Sequence, residues 1–189
     1  MPASLRKAEE TRTMFIPALV SMLTEVEEDQ EAWAEQIEEK DGAVGSTEPH
    51  QVAVNAINSL SNDLGEKPVL AACSGLIQVC VTSAEWQKRQ AGYLLMGLIA
   101  EATKESMLKG MGEAMKLACS GVADPHTRVR YAGLSCLALL LTELSPKAQR
   151  KYHSELLPVL FKMMKEEPLI KMQTHAVSTV INFVNGLSA

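Results

Sequence analysis

SAEWQKRQAGYLLMGLIAEA, Ser83 to Ala102, and DPHTRVRYAGLSCLALLLTE, Asp124 to Glu143, are two copies of one pattern. Aligned at an offset of 41, each carries an arginine followed two residues later by Ala-Gly: Arg89 before Ala91 and Gly92, Arg130 before Ala132 and Gly133. A third copy, KMQTHAVSTVINFV from Lys171, aligns at a further offset of 44 through Ala132 and Ala176. Between the copies lies a second kind of segment. SELLPVLFKMMK (Ser154 to Lys165) matches MFIPALVSMLTE (Met14 to Glu25), with Pro158 against Pro17, and Leu108 to Cys119 falls in the same phase. Both kinds are helical in period. Ala132, Cys136, Leu139 and Leu140 recur at three- and four-residue steps in the first kind. In the second, Leu156, Leu157, Leu160, Met163 and Met164 form an apolar stripe that leaves Lys162 and Lys165 outside it.

Two antiparallel helices recurring every 41 to 44 residues have the length of a HEAT or armadillo unit. The expected fold is therefore all-α, an α-α superhelix of about four repeats running through residues 1–189. With A for the first kind and B for the second, the expected order is B (Met14 to Glu28), A (Pro49 to Leu64) and B (Pro68 to Val81). Then follow A (Glu85 to Ala102), B (Leu108 to Gly121), A (Asp124 to Leu144), B (Tyr152 to Lys165) and A (Leu169 to Asn185). Asp124 can cap its helix with Pro125 in the first turn, where a missing N–H does no harm. The small pairs Ala91/Gly92 and Ala132/Gly133 would let a neighbouring helix approach closely. Arg89 and Arg130 share one repeat position, with Asp124 as a matching acid, which suits a ladder of ion pairs that sets repeat register. Pro158 need not break its helix if Tyr152 to Glu155 form or precede the first turn.

Only 8 of the 189 residues are aromatic, too few for an all-β sandwich or barrel rich in Tyr and Phe. The formal net charge of -5 lacks the basic surplus that phosphate neutralisation needs, so nucleic acid is not expected as a partner. No apolar run reaches the length of a membrane span. The charge is concentrated. From Glu25 to Asp41 nine acids face one base, Lys40, so this strip carries -8 and the rest of the chain +3. Gly42 to Pro49 has turn composition. The pair reads as an acidic loop inserted at about residues 27–49. It is either a solvated face or a dock for a basic partner.

Catalytic and metal chemistry find no foothold. His50, His126, His153 and His175 are scattered without a zinc spacing. Cys73, Cys80, Cys119 and Cys136 read as free thiols, and no nucleophile–base set or phosphate-cradling glycine loop is present. No enzyme activity, cofactor or metal is expected. Trp86 is expected to pack at a turn between helices. Polar residues of the B helices, Glu113, Lys116, Glu155 and Lys162, followed by Glu166 and Glu167, mix both signs and carry no clear signature.

WQKRQAG (Trp86 to Gly92), DPHTRVRYAG (Asp124 to Gly133) and LPVLFKMMKEE with KMQTHAVSTVINF (Leu157 to Phe183) resemble consecutive HEAT repeats of the importin-beta (karyopherin-beta) family of nuclear transport receptors. FIPALVSMLTEVEEDQEAWAEQ, Phe15 to Gln36, resembles the helix that leads into the acidic insertion of those receptors, including Trp33 after the acidic run. The ordered set looks like the importin-five (Ran-binding protein five) branch and covers nearly the whole chain. Such receptors are several times longer, so the chain reads as a central fragment whose terminal helices would rest apolar surface on neighbours. The resemblance implies a non-enzymatic carrier shuttling between cytoplasm and nucleus. It would bind protein cargo with a basic localisation signal on a concave side walled by B helices. It would also bind the GTPase Ran, and touch Phe-Gly nucleoporins between outer helices. It implies that Glu27, Glu28, Asp29, Glu31, Glu35, Glu38 and Glu39 face basic residues of Ran or cargo. The alternative is a static HEAT scaffold that assembles a multiprotein complex, which does not require such an acidic insertion.

Overall fold

The computed structural model describes residues 11–26, 28–35 and 48–187. A π-helical turn, Thr11–Phe15, leads into α1 (Ile16–Met22). Then follow α2 (Gln30–Glu35), α3 (Pro49–Leu64), α4 (Glu66–Val81), α5 (Trp86–Leu98), α6 (Lys104–Lys109) and α7 (Met111–Val122), and after them α8 (Thr127–Glu143), α9 (Lys147–Glu166) and α10 (Ile170–Asn185). No strand occurs among the described residues. The helices form two layers. The A layer is α3, α5, α8 and α10; the B layer is α1, α4, α7 and α9. The most intimate pairings are α5 with α8 inside the A layer, and α4 with α5 and α7 with α8 across the layers. Together they make an α-α solenoid.

The apolar periodicity supplies the core. Leu134, Leu137, Leu140 and Leu141 of α8, Leu95 of α5, Met115 of α7, Leu160 of α9 and Met172 of α10 are all at most 2% exposed and form one continuous cluster. Glycines set how closely the helices approach. A Cβ on Gly92 would lie 2.8 Å from the Cys80 Cβ and 3.1 Å from the Val81 nitrogen, at the end of α4. A Cβ on Gly133 would lie 2.6 Å from the Val122 nitrogen at the end of α7. Helices α4 and α7 thus each end with their backbone laid on a glycine of the next A helix. Gly65, at φ 80°, reverses the chain between α3 and α4 without a further linker residue.

Four expected boundaries are corrected. The first B helix was expected to run from Met14 to Glu28; the α-helix stops at Met22, where the Thr24 hydroxyl donates to the Ser21 carbonyl at 2.6 Å. An acidic run at a helix C-terminus faces the negative end of the macrodipole, so the helix ends before it. The last B helix begins at Lys147 rather than Tyr152, which puts Pro158 in its interior. The carbonyl that loses its donor there belongs to Ser154, which is exposed and can bond to water. The third B helix is split at Gly110 into α6 and α7. Helix α8 starts at Thr127, so Asp124 holds the preceding turn, accepting from the His126 N–H at 2.8 Å, instead of capping the helix itself. Within the span expected as acidic loop, residues 30–35 are helical.

Candidate functional site

Two constellations lie along the N-terminal ends of the A helices. The first is built from the repeat arginines. Arg89 forks onto Asp124, Nε to Oδ2 at 2.8 Å and Nη2 to Oδ1 at 3.0 Å. Its remaining Nη1 donates to the carbonyls of Ser83 and Ala84, at 3.1 and 2.8 Å. Arg130 repeats the arrangement one rung on. It forks onto Glu167, Nε to Oε1 and Nη2 to Oε2 at 3.2 Å each, and its Nη1 donates to the carbonyls of Asp124 and Pro125. Each arginine therefore ties the turn before its own helix to the acid in the turn before the next. Burial works to raise the Asp124 carboxyl, but the Arg89 hydrogen bonds and the His126 N–H outweigh it and hold the group below the usual carboxylate range. The Asp124 side chain is only 8% exposed and that of Glu167 14%, which places these pairs among partly desolvated bonds rather than surface ones.

By sequence, Glu167 falls after the last B helix, in a group of mixed sign with no clear signature. It is the acid of the second pair. The signal was an acid–proline dipeptide, Asp124-Pro125 and Glu167-Pro168, which repeats at an offset of 43. Aligning on the alanines, at 44, hides it by one residue.

The second constellation holds the acidic segment. Asp29 starts α2 by accepting from the N–H groups of Glu31 and Ala32, at 2.8 and 3.1 Å. Glu28, Asp29, Glu31 and Glu35 are exposed, and Gln87 Nε2 reaches Glu28 Oε1 at 3.5 Å. Glu27, Glu38 and Glu39 lie outside the described residues. The four described acids thus share one short, solvent-facing stretch near the start of α5, while Arg89, Asp124 and Arg130 belong to the paired turns beneath. Trp33, on the same α2, is buried instead. Lys171 of α10 lies over its ring, 4.7 Å from the centroid, and donates to its carbonyl oxygen at 3.0 Å. The edge of Tyr131 meets the Trp33 ring at 5.4 Å, and the Arg128 guanidinium stands 5.3 Å from it. Arg128 also lies 4.9 Å from the Trp86 ring, which stacks flat on His126 at 4.2 Å. Sequence reading placed Trp86 at a turn and missed the rest, because Arg128, Tyr131, Lys171 and His175 carry no spacing that singles them out.

A cleft of about 670 Å³ separates α7 from α9, lined by Val122, Leu156, Val159 and Met163 with Glu155, Lys162 and Glu166 around it. No group of three His, Cys, Asp or Glu side chains that could hold a metal ion occurs among the described residues. Burial raises the thiols of Cys73, to about 11, and Cys136, to about 12, so neither is a nucleophile at neutral pH.

No family model matches the chain. Individual proteins do. Importin subunit beta-3 of Saccharomyces cerevisiae is 28% identical over 172 residues, which covers 91% of this chain and 16% of that protein. Importin-4 of Homo sapiens is 26% identical over 143 residues, covering 75% and 13%. Among solved structures, Kap121p superposes with a TM-score of 0.83 at 25% identity over 94% of this chain and 17% of its own. Kap121p bound to RanGTP superposes with a TM-score of 0.80 at 26% identity, over 90% of this chain and 17% of that one. The chain thus spans about one-sixth of the length of the relatives it matches, at the 16% and 17% just given. Relatives of beta-3 and importin-4 type both occur, so the branch within the family is not distinguished. By sequence and by HEAT-repeat fold alike, the homologues of this chain are nuclear transport receptors of the importin/karyopherin-beta family.

Proposed function

We propose that this chain is part of a nuclear transport receptor that binds protein cargo and RanGTP through a HEAT-repeat arch and shuttles between cytoplasm and nucleus. What carries the reading is the likeness of nine-tenths of the chain to Kap121p in its RanGTP complex. Kap121p structures bound to Pho4p and to Nup53p, each covering 89% of this chain, support cargo and nucleoporins as further partners. The receptor is a carrier, with no catalytic step of its own. Glu27, Glu28, Asp29, Glu31, Glu35, Glu38 and Glu39 serve as the acidic dock for basic residues of Ran or of a cargo signal. Clustered carboxylates on an exposed stretch speed encounter with a basic surface and make binding salt-sensitive.

Reversing Glu28, Asp29, Glu31 and Glu35 to lysine is expected to weaken Ran-GTP or basic-cargo binding by about tenfold or more at low salt, roughly one decade per 1.4 kcal/mol lost. Titration calorimetry or a pull-down with Ran loaded with GTP and with GDP reads it. Unchanged affinity removes the acidic dock, and equal capture of both nucleotide forms favours a static scaffold.

Arg89, Asp124 and Arg130, with Glu167, act in this proposal as the ladder that fixes one repeat against the next. Arg89→Met keeps much of the stem packing and leaves Asp124 without its fork. The expected loss is about 1.5 kcal/mol in urea unfolding, the usual scale for hydrogen bonds to a charged group. A double substitution, Arg89→Met with Asp124→Asn, should recover part of it. A loss near zero for the single variant places the pair among inert surface bridges.

A further inference from the structure

Helix α2, QEAWAE, is six residues long, far below the length at which a helix stands alone in water. Its exposed residues are polar or small, and its one large apolar side chain, Trp33, points inward at 8% exposure. The groups that receive Trp33 come from α8 and α10: Arg128 and Tyr131 from the first turns of α8, Lys171 from the first turn of α10. The stack extends in both directions. Arg128 passes it to Trp86 at the start of α5 and to His126; Tyr131 passes it to His175 of α10, with ring centroids 4.4 Å apart. Lys171 lies over both aromatic faces, 4.7 Å from Trp33 and 5.7 Å from Tyr131, and its ammonium also bonds to the Trp33 carbonyl, 138 residues away in sequence. One side chain of the acidic segment is therefore seated where three successive A helices begin.

We propose that Trp33 is an intramolecular clasp that fastens the acidic segment across the α5, α8 and α10 rungs, so that the seating of that segment and the spacing of those rungs are coupled. The geometry has a direction. The apolar ring faces the cationic notch, and the exposed carboxylates of Glu28, Glu31 and Glu35 face out. A ligand that meets those carboxylates in place leaves the clasp shut. A ligand that draws α2 off the surface has to unseat Trp33, and frees the α8 and α10 starts to move apart. By linkage, a rung opening that separates Lys171 from Tyr131 loosens α2 to the same extent. The clasp does not depend on what the acidic segment binds, and it holds whether or not Ran is the partner.

Amide hydrogen exchange on the full 189-residue chain tests it. In Trp33→Ala, exchange at residues 30–35 is expected to rise about tenfold or more, and protection at residues 170–175 of α10 to fall with it, while the α8 interior stays at its parent rate. The α10 readout matters because a role for Trp33 confined to α2 itself would not move it. Lys171→Gln, a milder change that keeps the tryptophan and removes the charge, should produce the same pattern at lower amplitude, and serves if Trp33→Ala does not fold. Lys171→Arg should stay within about threefold of the parent. Full exposure of residues 30–35 in the parent chain overturns the clasp. So does unchanged protection of residues 170–175 in both the alanine and glutamine variants.

Discussion

Gly133→Ala is expected to destabilise the chain by about 3 kcal/mol, at the top of the range for overpacking a closed core. The added methyl would stand 2.6 Å from the Val122 nitrogen and 2.8 Å from the Gly121 Cα. These are backbone atoms of α7, so no rotamer change can relieve the contact; α7 and α8 must separate. Separation strips contacts from Leu134, Leu137 and Met115, which are almost wholly buried around that crossing. Alanine is the better helix former by about 1 kcal/mol, and that gain is already set against the clash. Gly75→Ala is the control. Gly75 lies in α4, is exposed, and an added Cβ there meets nothing within 4 Å. It should stabilise by about 0.5–1 kcal/mol. The same chemical change thus acts with opposite sign at two helical glycines. Thermal unfolding reads both: Gly133→Ala should lower the midpoint by about 6–12 °C for a chain of this size. A change of the same sign and size at both positions would mean that helix propensity, and not the close approach, governs them.

That crossing is legible in the sequence alone. Ala132-Gly133 and Ala91-Gly92 recur in phase with an apolar period, and a repeated small pair inside a long helix has few uses besides close packing. Much of the helix order was legible for the same reason, since the A segments from Ser83, Asp124 and Lys171 recur at offsets of 41 and 44, and the B segments at Met14, Leu108 and Ser154 share one phase. What escaped was whatever the repeat does not contain. The end of α1 at Met22 follows from the acidic run opposing the helix dipole, and that run occurs once. The start of α9 at Lys147 escaped because Pro158 suggested a helix beginning close to it. Arg89, Asp124 and Arg130 were singled out by position, but the partner of Arg130 was not, because Glu167 sits one residue out of the alanine register. Trp33 was noted as a family-like residue and nothing more. Its receivers are contributed by helices up to 138 residues away, and a single sequence carries no trace of a contact made only once.

Stability is expected to fall as pH drops from about 6.5 toward 4, with His175 as a principal source. Burial pushes its imidazole down to about 4, and the nearby Lys171 ammonium adds to the shift. The ring is held neutral, stacked on Tyr131 at 4.4 Å with Nε2 at 2.8 Å from the Ser135 hydroxyl. The unfolded chain carries an ordinary histidine near 6.5, so below that pH it binds a proton that the folded chain refuses. Protons therefore favour unfolding, stability is complete above about pH 6.5, and it drains as pH falls toward the folded value. The loss is about 2 kcal/mol at about pH 5 and about 3 at about pH 4. Asp124 does not confuse the window. Its carboxyl is held below the usual range, so its contribution is present above that range and is lost only at lower pH. His50 and His126 are also pushed down, chiefly by burial, and act in the same direction as His175. His175→Gln separates them. Glutamine keeps a hydrogen-bonding group toward Ser135 and does not titrate, so the difference in urea midpoint between about pH 7.5 and 5 should shrink by the share of His175, about 2 kcal/mol, while the shares of His50 and His126 cancel between the two chains. Equal losses in the parent and the glutamine variant would mean that the His175 ring takes up its proton in the folded chain as easily as in the unfolded one, and that its stack on Tyr131 does not require the neutral form.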